Sequence, residues 1–233
     1  MMKTLWQSSF LIPVLAWSAS LTTPTPSTAV DSASVWNHIH QHYVHGLPYG
    51  ATEDLGPDAV TFLLPMLDDP AEEEWWYNVV TALGIVGQAD VTDPLIEFFE
   101  KWGTQELSRE TFRAVTSVPA ALGLVAAKGD PVALEYVKAC TRLEFLEERS
   151  RWTALDMNPE TLHTLLIQIA IKGLGFAGTS DALAHLRAME QGPESPALAA
   201  ALRPDLIEAI QINQQIANRG PRSFFEPAGR VGR

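Results

Sequence analysis

Residues 82–90 read ALGIVGQAD, residues 121–130 read ALGLVAAKGD, and residues 173–181 read GLGFAGTSD. The three segments share a small residue, then Leu-Gly, an aliphatic or aromatic residue, small residues or valine, and an aspartate within a few positions. Each closes one apolar run of helical period and opens another. Incoming helices are predicted over 73–86, 108–126 and 159–177, and outgoing helices over 91–102, 131–142 and 181–189. Small residues at Ala82, Gly84, Ala121, Gly123, Gly173 and Gly175 should let two helices approach closely where the chain turns. Asp90, Asp130 and Asp181 are placed to cap the next helix through its free N–H groups. Pro131 suits a first helical position, where its missing N–H costs nothing.

The pattern extends outward from these turns. LGPDAVTFLLPML, from Leu55, is a half-match that supplies one more outgoing helix, with the histidine-rich segment before it as the incoming partner. A last helix is expected over 202–217. Alternating β-branched runs bounded by hairpin turns are missing, so there is almost no competing strand signal. Helix pairs that each leave an apolar face uncovered must stack on neighbours, which gives an array with a concave and a convex surface.

The Leu-Gly-x-small turn, its following Asp and Pro119 within an incoming helix resemble the HEAT-repeat family, in particular the short bacterial HEAT-like repeats first named after phycobilisome lyases. The similarity covers residues 55–190. It implies an all-α fold, a right-handed α-solenoid of about four to five stacked antiparallel helix pairs. Gly84, Gly123 and Gly175 recur after 39 and then 52 residues, longer than the family's short form, and the extra length falls in residues 143–158.

Composition bounds the function. The chain has 233 residues, 46% hydrophobic and 19% charged, enough for a substantial core. Of its 16 basic and 28 acidic side chains, the first thirty residues hold Lys3 alone, and residues 219–233 hold four arginines and Glu226. The body between carries 11 bases against 27 acids and repels phosphate backbones, which disfavours nucleic-acid binding. Lys3, the apolar stretch FLIPVLAWSASL and the polar TTPTPSTAV describe a secretory signal peptide, cleaved after Ser20 or after Ala29. An extracytoplasmic location, periplasmic or secreted, follows from it. No later stretch is long enough to span a membrane. The chain therefore divides into a signal peptide and polar linker over 1–30, a HEAT-like domain over 31–218 and a Gly/Pro-rich, basic, disordered tail over 219–233. Cys140 is the one cysteine, at helical spacing with Leu134 and Val137, and reads as a buried, inert thiol.

Four of the six histidines lie in NHIHQHYVHG, residues 37–46. On a helix, Trp36, Ile39 and Tyr43 share an inward face, His40 lies near it, and His38, His42 and His45 cluster on another. Neutral imidazoles one turn apart suit zinc, copper or nickel, although no HExxH-like motif supplies a further ligand. In DDPAEEEWWY, residues 68–77, Asp69, Pro70 and Glu72 read as a cap, a first-turn proline and a capping-box acid. Trp75 and Trp76 cannot both point inward from adjacent positions, which leaves one as a surface anchor for a partner. The insertion offers Arg149, Arg151 and Trp152 as partner contacts, against the alternative of a helix extension laced with Glu–Arg pairs. His163 and His185 stand off the apolar stripes and should be exposed. Phe224 and Phe225 read as part of the disordered tail with no specific role, a docking motif or a fold-back onto the acidic body being the alternatives.

There is no GxSxG and no phosphate-binding glycine loop. The expected function is thus an exported, non-enzymatic scaffold for a protein or peptide partner, with no cofactor. The alternative is a metal-binding or metal-delivery module built on His38, His42 and His45, taking a divalent metal. A lyase-type enzyme is suggested only by the name attached to these repeats.

Overall fold

The computed structural model describes residues 31–44, 46–192 and 196–226, without the side chains of 196–199. The expected signal peptide lies outside the described residues. The fold is all-α: twelve α-helices, joined by short 3-10 turns, and one pair of two-residue strands among the described residues.

Four long helices follow one another in space as in sequence. α4 (Trp76–Val86) packs on α6 (Arg109–Ala126), α6 on α9 (Pro159–Ala177), and α9 on α11 (Pro196–Arg219). Their small residues explain the contact. A Cβ on Gly84 would fall 2.7 Å from Ala121 Cα, one on Gly123 2.1 Å from the Gly173 carbonyl oxygen, and one on Gly175 3.1 Å from Ala209 Cα. In each case the glycine after leucine meets the small residue that begins the next unit. The close approach is therefore between successive units, and not at the turn within one unit as the sequence suggested. Ala209 occupies the corresponding place in α11, which carries no Leu-Gly at all. Buried asparagines add a second link: Asn213 donates to the Leu174 carbonyl at 3.0 Å, and Asn78 to the Ile39 carbonyl at 2.8 Å.

A second row of helices covers one side. α3 (Val60–Met66) packs on α4 and α5 (Thr92–Glu100) on α6, while α7 (Pro131–Ala139) lies against α6 and α9, and α10 (Ser180–Gln191) against α9 and α11. The core between the rows is aliphatic and aromatic, with Leu83, Leu95, Leu122, Leu166 and Ile171 fully buried. Cys140 is buried there too, and its burial pushes the thiol well above its usual range.

The caps divide the expectations. Asp130 accepts from Val132 N at 2.8 Å and caps α7 as expected. Asp90 instead sits inside a 3-10 turn and accepts from Gln88 N at 3.0 Å. Asp181 is already helical, and Thr179 caps α10 by accepting from Ala182 N at 3.2 Å. Asp69 caps the 3-10 turn Pro70–Trp75, but Glu72 turns toward His40 and closes no capping box.

The insertion is anchored to the core by a few buried side chains. α8 (Leu143–Arg149) packs on α9, and β2 (Thr153–Ala154) pairs in parallel with β1 (Glu106–Leu107). Leu146 and Trp152 are buried. At the other end, the segment expected to be disordered from Arg219 forms the short helix α12 (Pro221–Phe225) through to the last described residue, Glu226. α12 contacts both α11 and α2 (Tyr49–Glu53).

Candidate functional site

The histidine segment does not form the long helix its spacing suggests. α1 (Ser32–Ile39) stops at His40, where Asn78 of α4 donates to the Ile39 and Gln41 carbonyls and replaces the helical bonds that would follow. Val35 and Ile39 are its buried pair, and Trp36 is 54% exposed instead of inward, its ring stacked 4.0 Å from His40. Tyr43 is only partly buried.

The histidines consequently diverge. His38 Nε2 is 2.9 Å from the Thr52 hydroxyl and Nδ1 is 3.1 Å from the Tyr43 hydroxyl, and burial lowers its affinity for a proton. His42 is exposed, 3.7 Å from Glu74 and packed on Trp75. His45 lies outside the described residues. No group of three His, Cys, Asp or Glu side chains among the described residues converges as metal ligands. The helical face on which His38 and His42 were to meet is not built, since the helix ends between them. His40 packs between Trp36 and Trp75, its Nε2 2.7 Å from Glu72 Oε2 without the alignment of a directed hydrogen bond.

Of the five expected partner contacts, two belong to the core. Trp76 is 5% exposed, donates from Nε1 to the Met66 carbonyl at 2.8 Å and meets Phe98 edge-on. Trp152 is 1% exposed, wedged between Phe99 and Phe112, with its Nε1 buried and unpartnered. Trp75 is half-buried beneath His40 and His42. Arg149 holds the Glu100 carboxylate at 2.8 and 2.9 Å, and Arg151 is exposed. His163 is buried, and His185 is half-buried 3.0 Å from the Thr141 hydroxyl, so neither is the exposed histidine expected. Burial, then the nearby Lys138 ammonium, lowers the His185 proton affinity.

An apolar cavity lies elsewhere, on the side of the central helices that the second row leaves open. A cavity of about 250 Å³ is lined by Tyr77 and Thr81 of α4, Ser117 and Leu124 of α6, and Phe176 of α9. Tyr49 and Phe225 close its rim, their rings stacked at 4.9 Å. Burial first, then the Glu53 carboxylate, raises the Tyr49 hydroxyl above the ordinary phenol range. A more polar hollow of about 400 Å³ adjoins it, sharing Gly46 and Tyr77 and reaching His42, Glu74 and Arg113. Arg113 lies over the Tyr77 ring at 4.8 Å. One sequence signal points to the groove: Tyr77, Thr81 and Ile85 recur every fourth residue, as do Ser117, Ala121 and, three further on, Leu124. That stripe of small and aromatic residues reads as core until the covering row is located.

Near the groove, Lys128 reaches from the end of α6 to the Gly84, Ile85 and Gly87 carbonyls at 3.1, 2.5 and 2.5 Å. It satisfies the open C-terminal carbonyls of α4. Burial lowers its ammonium to about 8, against the opposing pull of Glu53 and Asp90.

No family model, curated protein or solved structure matches the chain. The fold and the groove therefore carry the functional reading.

Proposed function

We propose that this chain is an exported, right-handed HEAT-like α-solenoid that binds a protein or peptide partner and catalyses no reaction. The single observation that supports it best is the groove along α4, α6 and α9, apolar in its floor and rimmed by Tyr49 and Phe225. The staggered glycine contacts between successive central helices support the repeat arrangement, because a solenoid requires each unit to contact its neighbours in the same register. An extended partner segment fits such a face, burying aromatic side chains between small ones. No helix among the described residues is long and apolar enough to cross a membrane.

The test is capture of a partner from an extracytoplasmic fraction by the full chain and by Ala120→Arg, a charge placed in the groove. Retention by the wild type and loss in the variant is the expected outcome. Equal retention would move the binding face elsewhere, and recovery of an unprocessed N-terminus would contradict export.

A further inference from the structure

The chain covers the mouth of its own groove. Gly220, at φ +78°, turns the backbone sharply at the end of α11 and sends Pro221–Phe225 back toward α2. Three unlike interactions receive that segment. Arg222 donates from one nitrogen to Asp54 at 2.8 Å and to Glu53 at 3.1 Å. Phe225 stacks on Tyr49 with the rings 6° from parallel and has Phe176 at 5.3 Å. The Glu226 carboxylate accepts from the Gly50 N–H at 2.8 Å. A Cβ on Gly50 would fall 2.3 Å from that carboxylate, so the missing side chain is what admits it.

The receiving surface is thus complementary to a short peptide: an acidic pair for a cation, a ring slot, and a backbone N–H for a carboxylate. Its own occupant is weakly held. Arg222 is exposed and its ion pairs face water, where such pairs contribute little, and Phe225 remains 36% exposed. A tethered segment nevertheless benefits from a high effective concentration, which a free ligand must overcome.

We infer that the surface of Tyr49–Asp54 and Phe176 is a peptide-recognition site whose ligand carries a basic residue, an aromatic residue three positions later and an acid directly after it. Arg222, Phe225 and Glu226 occupy the site in cis and compete with that ligand. The inference rests on reading the groove as the binding face, and it names the ligand chemistry and the regulation of that face.

The probe is a fluorescently labelled peptide of residues 219–226, titrated against the full wild-type chain and full-length Arg222→Glu/Phe225→Ala. Freeing the site should strengthen peptide binding roughly tenfold or more. A peptide with the same two positions changed should not bind, and Glu53→Lys/Asp54→Lys added to the opened chain should abolish binding. Equal binding by both chains overturns the inference, as does no binding by an opened chain whose circular dichroism is unchanged. A concentration-dependent dimer that the double variant abolishes also overturns it, in favour of exchange between copies. If the peptide fails while Ala120→Arg still removes a captured partner, the inference falls and the scaffold reading stands. If the peptide binds while Ala120→Arg leaves capture intact, the inference stands and the captured partner binds on another face.

Discussion

Gly123 and Gly175 carry the same turn signature, yet the space around them differs. A methyl group on Gly123 would lie 2.1 Å from a backbone oxygen of the next helix, and one on Gly175 3.1 Å from Ala209 Cα. Alanine gains up to about 1 kcal/mol over glycine inside a helix, while overpacking a tight contact costs about 1–3 kcal/mol. The clash wins at Gly123 because two backbones would have to separate. Gly123→Ala should destabilise the fold by roughly 2 kcal/mol, and Gly175→Ala should stay within about 1 kcal/mol of wild type. Urea unfolding of the two variants measures the difference, and equal midpoints would mean that α6 and α9 can move apart freely. Glu73 gives a pH-dependent counterpart. Hydroxyls of Ser108 and Thr111 donate to its carboxylate and hold it below the ordinary carboxyl range. Its unfolded value is about 4.3, so the stabilisation is complete above that pH and is lost as pH falls through the lower folded value. Glu73→Gln should flatten the fall of the thermal midpoint below about pH 4; a slope identical to wild type would assign acid lability to other groups. At this scale the sequence shows that a position must be small or acidic. It does not show what stands opposite.

In the insertion over 143–158, buried anchors alternate with exposed charges. Of the residues expected to meet a partner, Trp152 instead anchors the segment in the core, β2 ties it to β1, and Arg149 and Arg151 stay exposed. Trp152→Ala should cost about 3–5 kcal/mol, whereas Arg151→Ala, on an exposed side chain, should change stability by less than about 0.5 kcal/mol. Thermal or denaturant unfolding checks both, and a near-neutral Trp152→Ala would return the segment to the role of a loop. The long helices were legible: α6 and α9 end where the apolar period ends, at Ala126 and Ala177. α1 was not, because its stop is imposed by Asn78, contributed by a helix 39 residues further along the chain. Lys128 acts in the same way, closing the end of α4 from the end of α6. Lys128→Met should therefore loosen α4 by about 1 kcal/mol through its unpaired carbonyls, detectable as faster amide exchange at 84–87 than elsewhere in that helix.

Over the whole molecule the central helices form a sequence of neighbours, so protection should grade along it. α6 and α9 each have a central helix on both sides and should exchange their amides slowest. α1 and α12, short helices with few contacts to the central row, should exchange fastest, and a uniform profile would indicate a single cooperative core instead of an array. The sequence by itself determined the helical class, the positions of the turns and the acidic body, because period, turn chemistry and charge are local properties of a chain. The tertiary structure decided which face of each central helix stays open, that the histidines part company, and that Glu226 reaches Gly50 across 176 residues. Those outcomes depend on which distant side chain fills a given gap, and packing between helices, with no signature in either segment alone, selects it.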